Sequence, residues 1–188
     1  MTSPSKLAHF VLRTGRFHEM REWYRTVLGA TVAYENGQLC FLSYDDEHHR
    51  VGLVDTGATE QPGPRTRGLE HIAFTYADLP ALLGTYERLE QAGILPFWSV
   101  NHGPTTSLYY RDPDGNHIEL QVDNFATMEE AARFMSSALY GLNPIGADID
   151  PRELLRQLRA GEPPAQLARP HSLAAPRGLD SVPAEFFR

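Results

Sequence analysis

The sequence has one cysteine, no long apolar run and no excess of basic residues, and each of these features narrows what the chain can be. Cys40 has no second cysteine with which to form an intrachain disulfide. The first residues lack the apolar core of a signal peptide, and no run approaches the length of a membrane span. The formal net charge is -7, with no basic stripe for a nucleic acid. We therefore expect a cytoplasmic protein that acts on a small molecule, with no membrane and no nucleic acid partner.

The first part of the chain reads as two copies of one pattern. Each copy opens with an apolar strand that carries a histidine, His9 in the first copy and His71 in the second. An amphipathic helix follows and stops at a glycine, Gly29 in the first copy and Gly93 in the second. Three short strand-like runs come next in each copy, at 31–34, 39–44 and 51–54 and at 95–100, 107–110 and 117–122. Each copy is therefore predicted to fold as βαβββ.

The rest of the chain follows a different pattern. A Thr-x-x-Glu capping box at Thr127 predicts a helix that reaches about Tyr140, and Asp150-Pro151 starts another that ends near Gly161. The proline-rich and alanine-rich stretch after it has no clear period and is predicted to be an extended arm. The expected class is α+β, with two βαβββ modules forming an open barrel around a metal site, C-terminal helices and a tail. The expected domains are 1–124 (modules at about 6–56 and 68–124), 125–161 and 162–188.

His9, His71 and Glu119 are the candidate metal ligands. In a duplicated βαβββ unit the first strands occupy equivalent places, so a pseudo-twofold axis would relate the two histidines. Glu119 lies on the last strand of the second copy, directly after the turn signal at 112–116. Two imidazoles and a carboxylate that meet leave open positions on a metal, the arrangement used by non-haem Fe(II) oxygenases. A shared cation would also remove the cost of burying these groups without partners.

Taken singly, several polar residues have simpler interpretations. A lone histidine in an apolar strand more often belongs to a core than to a metal site, and it is the matched copies that favour metal binding. His48 and His49 follow three acidic residues and fit a solvated turn, and Tyr109 fits cross-strand packing. His117, two residues before Glu119, is expected at the solvent end of its strand because it follows a turn.

These residues resemble the vicinal oxygen chelate superfamily and, within it, the short, single-domain type I extradiol catechol dioxygenases of the 2,3-dihydroxybiphenyl 1,2-dioxygenase kind. The resemblance covers about Lys6 to Asn124. His9, His71 and the segment Tyr109–Glu119 are similar across the whole superfamily. The Glu-His-His segment at 47–49 is more specific, because it looks like the paired histidines of the extradiol enzymes.

The resemblance implies a ring-cleaving dioxygenase that binds Fe(II) through His9, His71 and Glu119 and acts on a small aromatic diol and O2. Mn(II) is the other metal that these ligands accept. Pairing of subunits is common in the family, so a homodimer or higher homo-oligomer is expected. The large apolar residues of the C-terminal region would either cover the substrate as a lid or form the subunit interface; they are Phe125, Phe134, Met135 and Tyr140.

The resemblance also implies catalytic roles for three further side chains. Tyr109 would hydrogen-bond the hydroxyl of the substrate, and His49 would stabilise and protonate the reduced oxygen. The extradiol pattern places another active-site histidine nine residues before the tyrosine. Val100 stands there in this chain, and His102 lies two residues later in a turn-like run from which it can still reach the cavity.

Two other functions remain open on the same fold. A glyoxalase I-like metal-dependent isomerase, or a glutathione or thiol transferase, would use the metal as a Lewis acid. Such isomerases usually need a glutamate ligand on the last strand of the first module, where only Asp55 or the later Glu60 is available. A metal-free binding module is the third possibility, although such proteins usually lack the two histidines and the glutamate.

Overall fold

A computed structural model of the chain shows two compact units. The residues that it describes are 2–61, 63, 66–169 and 175–187. Unit 1 comprises Met1–Pro62 and Asp112–Asn116, and unit 2 comprises Gly63–Arg111 and His117–Arg188. Each unit combines helices with one open β-sheet, so the predicted α+β class and the two βαβββ modules are confirmed.

Unit 1 folds as one βαβββ module. Its elements are β1 (Phe10–Thr14), α1 (Phe17–Leu28), β2 (Thr31–Glu35), β3 (Leu39–Ser43) and β4 (Val51–Asp55). The strand order is β1-β4-β3-β2, with β1 parallel to β4 and the other neighbours antiparallel. Helix α1 ends at Gly29, whose φ of 64° lies in the left-handed region that glycine adopts without steric cost. The core includes Cys40 and Tyr24, whose hydroxyl donates to Asp112 Oδ2 at 3.0 Å.

Unit 2 repeats that module and adds to it. Its elements are β5 (His71–Thr75), α2 (Leu79–Gln91), β6 (Trp98–Asn101), β7 (Thr105–Arg111), β8 (His117–Asp123) and a short β9 (Ala147–Asp148). The order β5-β8-β7-β6-β9 begins with the same four-strand arrangement as unit 1, and β5 is again parallel to its neighbour. Strand β9 extends the sheet at the far edge by pairing with β6. Its two residues are too few to give a periodic signal in the sequence.

The C-terminal region differs in part from the prediction. The single helix expected to reach Tyr140 is two helices, α3 (Met128–Met135) and α4 (Ala138–Leu142). The break occurs at Ser137, whose side chain caps α4 by accepting from the Tyr140 N–H, as serine does at helix starts. Helices α5 (Pro151–Arg159) and α6 (Pro164–Leu167) follow. No helix in the described part of the chain is long and apolar enough to cross a membrane.

The predicted tail contributes to the core of unit 2. Two short 3-10 turns lie at Leu179–Ser181 and Ala184–Phe187. Between them Val182 is buried in a cluster with Trp98 and Tyr109, and Phe186 packs against the same cluster. The tail residues 170–174 and 188 lie outside the described part of the chain.

Candidate metal centre

Two of the three candidate ligands meet in unit 2. His71 begins β5 and Glu119 lies in the neighbouring β8, where the parallel register pairs Ala73 with Glu119. The Nε2 atom of His71 is 3.1 Å from Oε2 of Glu119. Glu119 is only 4% exposed, whereas the side chain of His71 is 34% exposed, so the pair has one buried member and one that solvent reaches.

The two groups hold each other in their charged forms. Burial acts to raise the pKa of Glu119, but the hydrogen bonds from His71 and Ser107 outweigh it, and the pKa lies below its usual value. The hydrogen bond to Glu119 is the main reason that the pKa of His71 rises to about 9, with burial opposing it and Glu70 adding to it. These two side chains fit a divalent metal, because an imidazole nitrogen and a carboxylate oxygen are among its usual ligands. Nε2 of His71 and Oε2 of Glu119 now share one hydrogen, and a bound cation would take the place of that hydrogen.

Tyr109 and His102 flank this pair. Tyr109 lies opposite Glu119 in the antiparallel register of β7 and β8, and its ring packs edge-on against His71 with centroids 5.5 Å apart. A hydrogen bond of 3.0 Å joins the Tyr109 hydroxyl to Nε2 of His102, while Nδ1 of His102 is 2.6 Å from the Ile145 carbonyl oxygen. Because that carbonyl only accepts, Nδ1 donates and Nε2 accepts from the tyrosine.

The position of His102, two residues away from the extradiol pattern, still brings it to Tyr109. The chain turns tightly after β6, with the His102 N–H donating to the Thr105 carbonyl at 2.9 Å and Gly103 at a φ of 97°. Burial lowers the pKa of His102 and raises that of Tyr109 far above its usual value. The tyrosine is therefore a neutral hydroxyl and the histidine a neutral imidazole.

The other two candidates lie in unit 1. His9 comes one residue before β1, which begins at Phe10, and its ring centroid is 4.2 Å from that of His49. The ring of His49 also stacks on Phe41 at 4.6 Å, and a hydrogen bond of 2.6 Å joins its Nδ1 to Nδ1 of His48. Burial, followed by the nearby His9 and His48, lowers the pKa of His49, which favours its neutral form.

The candidate residues thus fall into two groups. Unit 2 brings together His71, Glu119, Tyr109 and His102, and unit 1 brings together His9 and His49. Among the residues that the structure describes, no three histidine, cysteine, aspartate or glutamate side chains form a cluster ready to hold a metal ion. The meeting of His9 with His71 and Glu119 stays a prediction.

Two polar residues near the site were missed or misplaced by the sequence analysis, Glu70 and His117. Glu70 accepts hydrogen bonds from Nδ1 of His71 and from Nδ1 of His117, the second at 3.0 Å. His117 is 8% exposed, so the prediction that it lies at the solvent end of its strand was wrong. Rings of Phe97 and Phe186 pack on it, at 5.0 and 5.1 Å between centroids. The adjacent Glu70-His71 pair was the one signal in the sequence.

Phe186 is a further residue of the site that the sequence did not indicate. Its ring centroid lies 5.2 Å from that of Tyr109 and 6.3 Å from that of His71. It also packs edge-on against Trp98 at 5.4 Å. The site in unit 2 is therefore walled by aromatic rings, one of which comes from the tail. A tail without periodic pattern gives no sequence signal for such a contact.

The chain is similar in sequence to several known proteins. The family model described as the Glyoxalase/Bleomycin resistance protein/Dioxygenase superfamily matches residues 6–120. Biphenyl-2,3-diol 1,2-dioxygenase 2 of Rhodococcus globerulus is 49% identical over 87% of this chain and 86% of its own. Biphenyl-2,3-diol 1,2-dioxygenase 3 of the same organism is 48% identical over 89% of each chain.

More distant similarities bear on the alternatives and on the fold. Glutathione transferase FosA of Serratia marcescens is 30% identical over 68% of this chain and 87% of its own. The crystal structure of a glyoxylase/bleomycin resistance protein/dioxygenase domain from Frankia sp. EAN1pec superposes with a TM-score of 0.56 and 20% identity, covering 68% of this chain and 98% of that one. This last similarity shows the fold alone.

Proposed function

Because the chain belongs to the Glyoxalase/Bleomycin resistance protein/Dioxygenase superfamily, we propose that it is an extradiol ring-cleaving dioxygenase that inserts O2 into a catechol-type diol. The observation that carries the proposal is the contact of His71 with Glu119 beside the Tyr109–His102 hydrogen bond. The similarity at 49% and 48% to two biphenyl-2,3-diol 1,2-dioxygenases supports the same reaction.

We propose that His9, His71 and Glu119 hold Fe(II), with Mn(II) as the metal that the same ligands also accept. When bound, the metal would lower the pKa of the diol and hold both reactants in one place. Glu119 is suited to this role because its carboxylate is ionised while almost fully buried. His71 is suited to it because its Nε2 already points at that carboxylate.

Two side-chain groups would handle protons. The hydroxyl of Tyr109 would accept a proton from a hydroxyl of the diol as it passes its own proton to Nε2 of the neutral His102 behind it, so that the tyrosine stays neutral. His49, also favoured in its neutral form, would serve as the second proton carrier: it would take up the other proton of the diol and then protonate the reduced oxygen. Histidine suits both tasks because its usual pKa lies near the working pH.

The aromatic walls support an aromatic substrate. The rings of Tyr109 and Phe186 pack edge-on against His71, Trp98 stacks on Tyr109, and Phe97 packs against Phe186. Planar rings pack against such surfaces in offset or edge-on geometry. A diol on a flat ring fits this lining better than the flexible thioether chain of a glutathione adduct does.

The glyoxalase-like or thiol transferase alternative is favoured by one relative, the glutathione transferase FosA. The side chains of unit 1 do not favour it. The Oδ1 atom of Asp55 accepts from the Gly57 N–H at 3.0 Å and so caps its own turn, and Glu60 is exposed. The hydrogen bond within its own turn disfavours Asp55 as a fourth ligand.

We also propose that the protein forms a homodimer or a higher homo-oligomer. Helices α3 and α4 bury none of their side chains within the described part of the chain, and they expose large apolar residues: Met128, Met135, Leu139 and Leu142. Surfaces of this kind often mark subunit contacts. Light scattering after gel filtration measures the state, and a monomer at micromolar concentration contradicts this part of the proposal.

The deciding experiment measures the reaction directly. Protein loaded anaerobically with Fe(II) is expected to take up O2 and form a yellow product with 2,3-dihydroxybiphenyl, catechol or 3-methylcatechol. Protein loaded with Ni(II) or Zn(II) and given a hemithioacetal tests the isomerase. Absence of both O2 uptake and coloured product with all the diols overturns the proposal, and isomerase activity without O2 uptake replaces it.

A further inference from the structure

We propose that Glu70 is a positioning residue that fixes the ring orientation and tautomer of His71 for metal binding, and that His117 and Arg111 hold Glu70 in place. The inference rests on the proposed metal centre. It concerns residues of unit 2 that take no part in the chemistry described above, and it assigns a reason for the burial of His117.

Glu70 lies between two histidines on neighbouring strands. The parallel register of β5 and β8 pairs His71 directly with His117. Glu70 precedes β5, and its two oxygens are divided between the rings: Oε2 meets Nδ1 of His71, and Oε1 lies 3.0 Å from Nδ1 of His117. One carboxylate therefore ties the two imidazoles together.

The hydrogen-bond chemistry decides which nitrogen of His71 is free for a metal. An ionised carboxylate only accepts, so Nδ1 of His71 must carry the hydrogen that it shares with Glu70. In the neutral ring the lone pair is then on Nε2, the atom that faces Glu119 at 3.1 Å. Without Glu70 the ring can adopt the other tautomer, which turns an N–H toward the metal position.

The far side of the network fixes Glu70 in turn. The Nε–H of Arg111 donates to Nε2 of His117 at 3.3 Å, and because a guanidinium only donates, Nε2 accepts and Nδ1 carries the hydrogen toward Glu70. Arg111 is itself held by the ring of Phe97, 4.6 Å from its guanidinium carbon, and by the carbonyl oxygen of Glu185. The side chain of Glu70 is 47% exposed, so the buried His117 supplies the rigidity that it lacks.

Carboxylates that accept from the outer nitrogen of a metal-bound histidine orient the ring and raise its basicity. Their removal typically lowers metal affinity by about 10- to 100-fold. We expect Glu70→Ala and Glu70→Gln each to weaken Fe(II) binding within that range. Glutamine matches glutamate in size, but its amide offers one acceptor and one donor to two N–H groups, so it satisfies only one of them.

The test measures Fe(II) affinity anaerobically, without substrate, by competition with a fluorescent chelator. Glu70→Asp keeps an acceptor-only carboxylate on a shorter side chain, so it is expected to bind more tightly than Glu70→Gln. A role in packing alone predicts the reverse order. The matched control is Glu90→Gln, since Glu90 also accepts from two side chains of unit 2, Tyr86 and Arg152, and is expected to change affinity less than twofold.

A second measurement reports the hydrogen bond to Glu70 itself. Long-range nitrogen–hydrogen NMR spectra of the Zn(II)-loaded protein are expected to show a protonated Nδ1 on His71 whose hydrogen exchanges slowly with water in the wild type, and faster exchange of that hydrogen in Glu70→Ala. Equal Fe(II) affinity in Glu70→Ala and wild type, or an equal loss in Glu90→Gln, overturns the inference. If the wild-type protein cleaves diols and Glu70→Ala binds Fe(II) as tightly as the wild type, the inference fails and the proposed function is unaffected. If the wild-type protein binds no Fe(II), the inference and the proposed function are both overturned.

Discussion

The two βαβββ units repeat one strand order, but they surround their histidines with different chemistry. In unit 2 both ring nitrogens of His71 meet carboxylates, Glu119 on one side and Glu70 on the other. In unit 1 the exposed His9 packs against the ring of His49. Both modules thus carry a histidine at or just before their first strand, but the neighbouring side chains differ. They make an ionic site in unit 2 and a cluster of imidazoles in unit 1.

The largest expected effect comes from removing either histidine. His71→Ala and His9→Ala are each expected to lower Fe(II) affinity by more than the about 10- to 100-fold typical of residues that only orient a ligand, because each removes one of three donors. Bound iron per chain after desalting, measured by mass spectrometry, checks this. His18→Ala, an exposed histidine of α1, is the control. Full iron content in His9→Ala shows that the two copies differ in role as well as in surroundings.

A smaller effect is expected from the proton carriers, one in each unit. His49→Ala in unit 1 is expected to lower kcat by about 100-fold or more, and Tyr109→Phe in unit 2 by about 10- to 100-fold, because each removes a group that moves a proton. Bound iron is expected to stay at the wild-type level in both. His18→Ala, an exposed histidine of the same unit, is again the control. Equal loss of iron and of kcat in His49→Ala contradicts its catalytic role.

Next in size is an effect on substrate binding confined to unit 2. Phe186→Ala is expected to raise KM for 2,3-dihydroxybiphenyl by about 2- to 10-fold, since an aromatic contact contributes about 0.5–1.5 kcal/mol. The effect on kcat is expected to be small. Leu179→Ala, 71% exposed in the same tail, is the control. An unchanged KM shows that the tail ring packs on Tyr109 without lining the substrate position.

The smallest expected effect is on the backbone, where the copies are most alike. Gly29 and Gly93 follow the two module helices at φ values of 64° and 75°, and a side chain at either would meet no atom within 4 Å. Gly29→Ala and Gly93→Ala are each expected to lower the free energy of unfolding by about 1 kcal/mol, from the left-handed conformation alone. Gly84→Ala, inside α2, is expected to raise it by about 0.5–1 kcal/mol. Urea titration measures all three.

The sequence predicted what depends on neighbours along the chain. The strands and helices of both modules were predicted because apolar periodicity, capping residues and the glycines after the helices are local signals. The superfamily was predicted from the motif residues and is confirmed by the family model and the relatives. The split between α3 and α4 was missed, because the capping preference of Ser137 competes with the apolar period of the helix.

What depends on residues far apart in the chain was not predicted. Glu70 and His117 meet because two strands lie side by side in one register, and no spacing in the sequence shows that register. Phe186 reaches Tyr109 from a tail without periodic pattern. The ring of His102 reaches the Tyr109 hydroxyl because a tight turn follows β6, which compensates for its shift of two residues from the extradiol pattern.

The environment of the single cysteine has a consequence for how the protein responds to oxidation in air. Cys40 is fully buried on β3, and burial raises the pKa of its thiol to about 11, so the reactive thiolate is scarce at neutral pH. Oxidants that attack thiolates therefore find no ready target on this side chain. If activity fades during exposure to O2, we expect anaerobic Fe(II) and a mild reductant such as ascorbate to restore it, with no thiol reagent required.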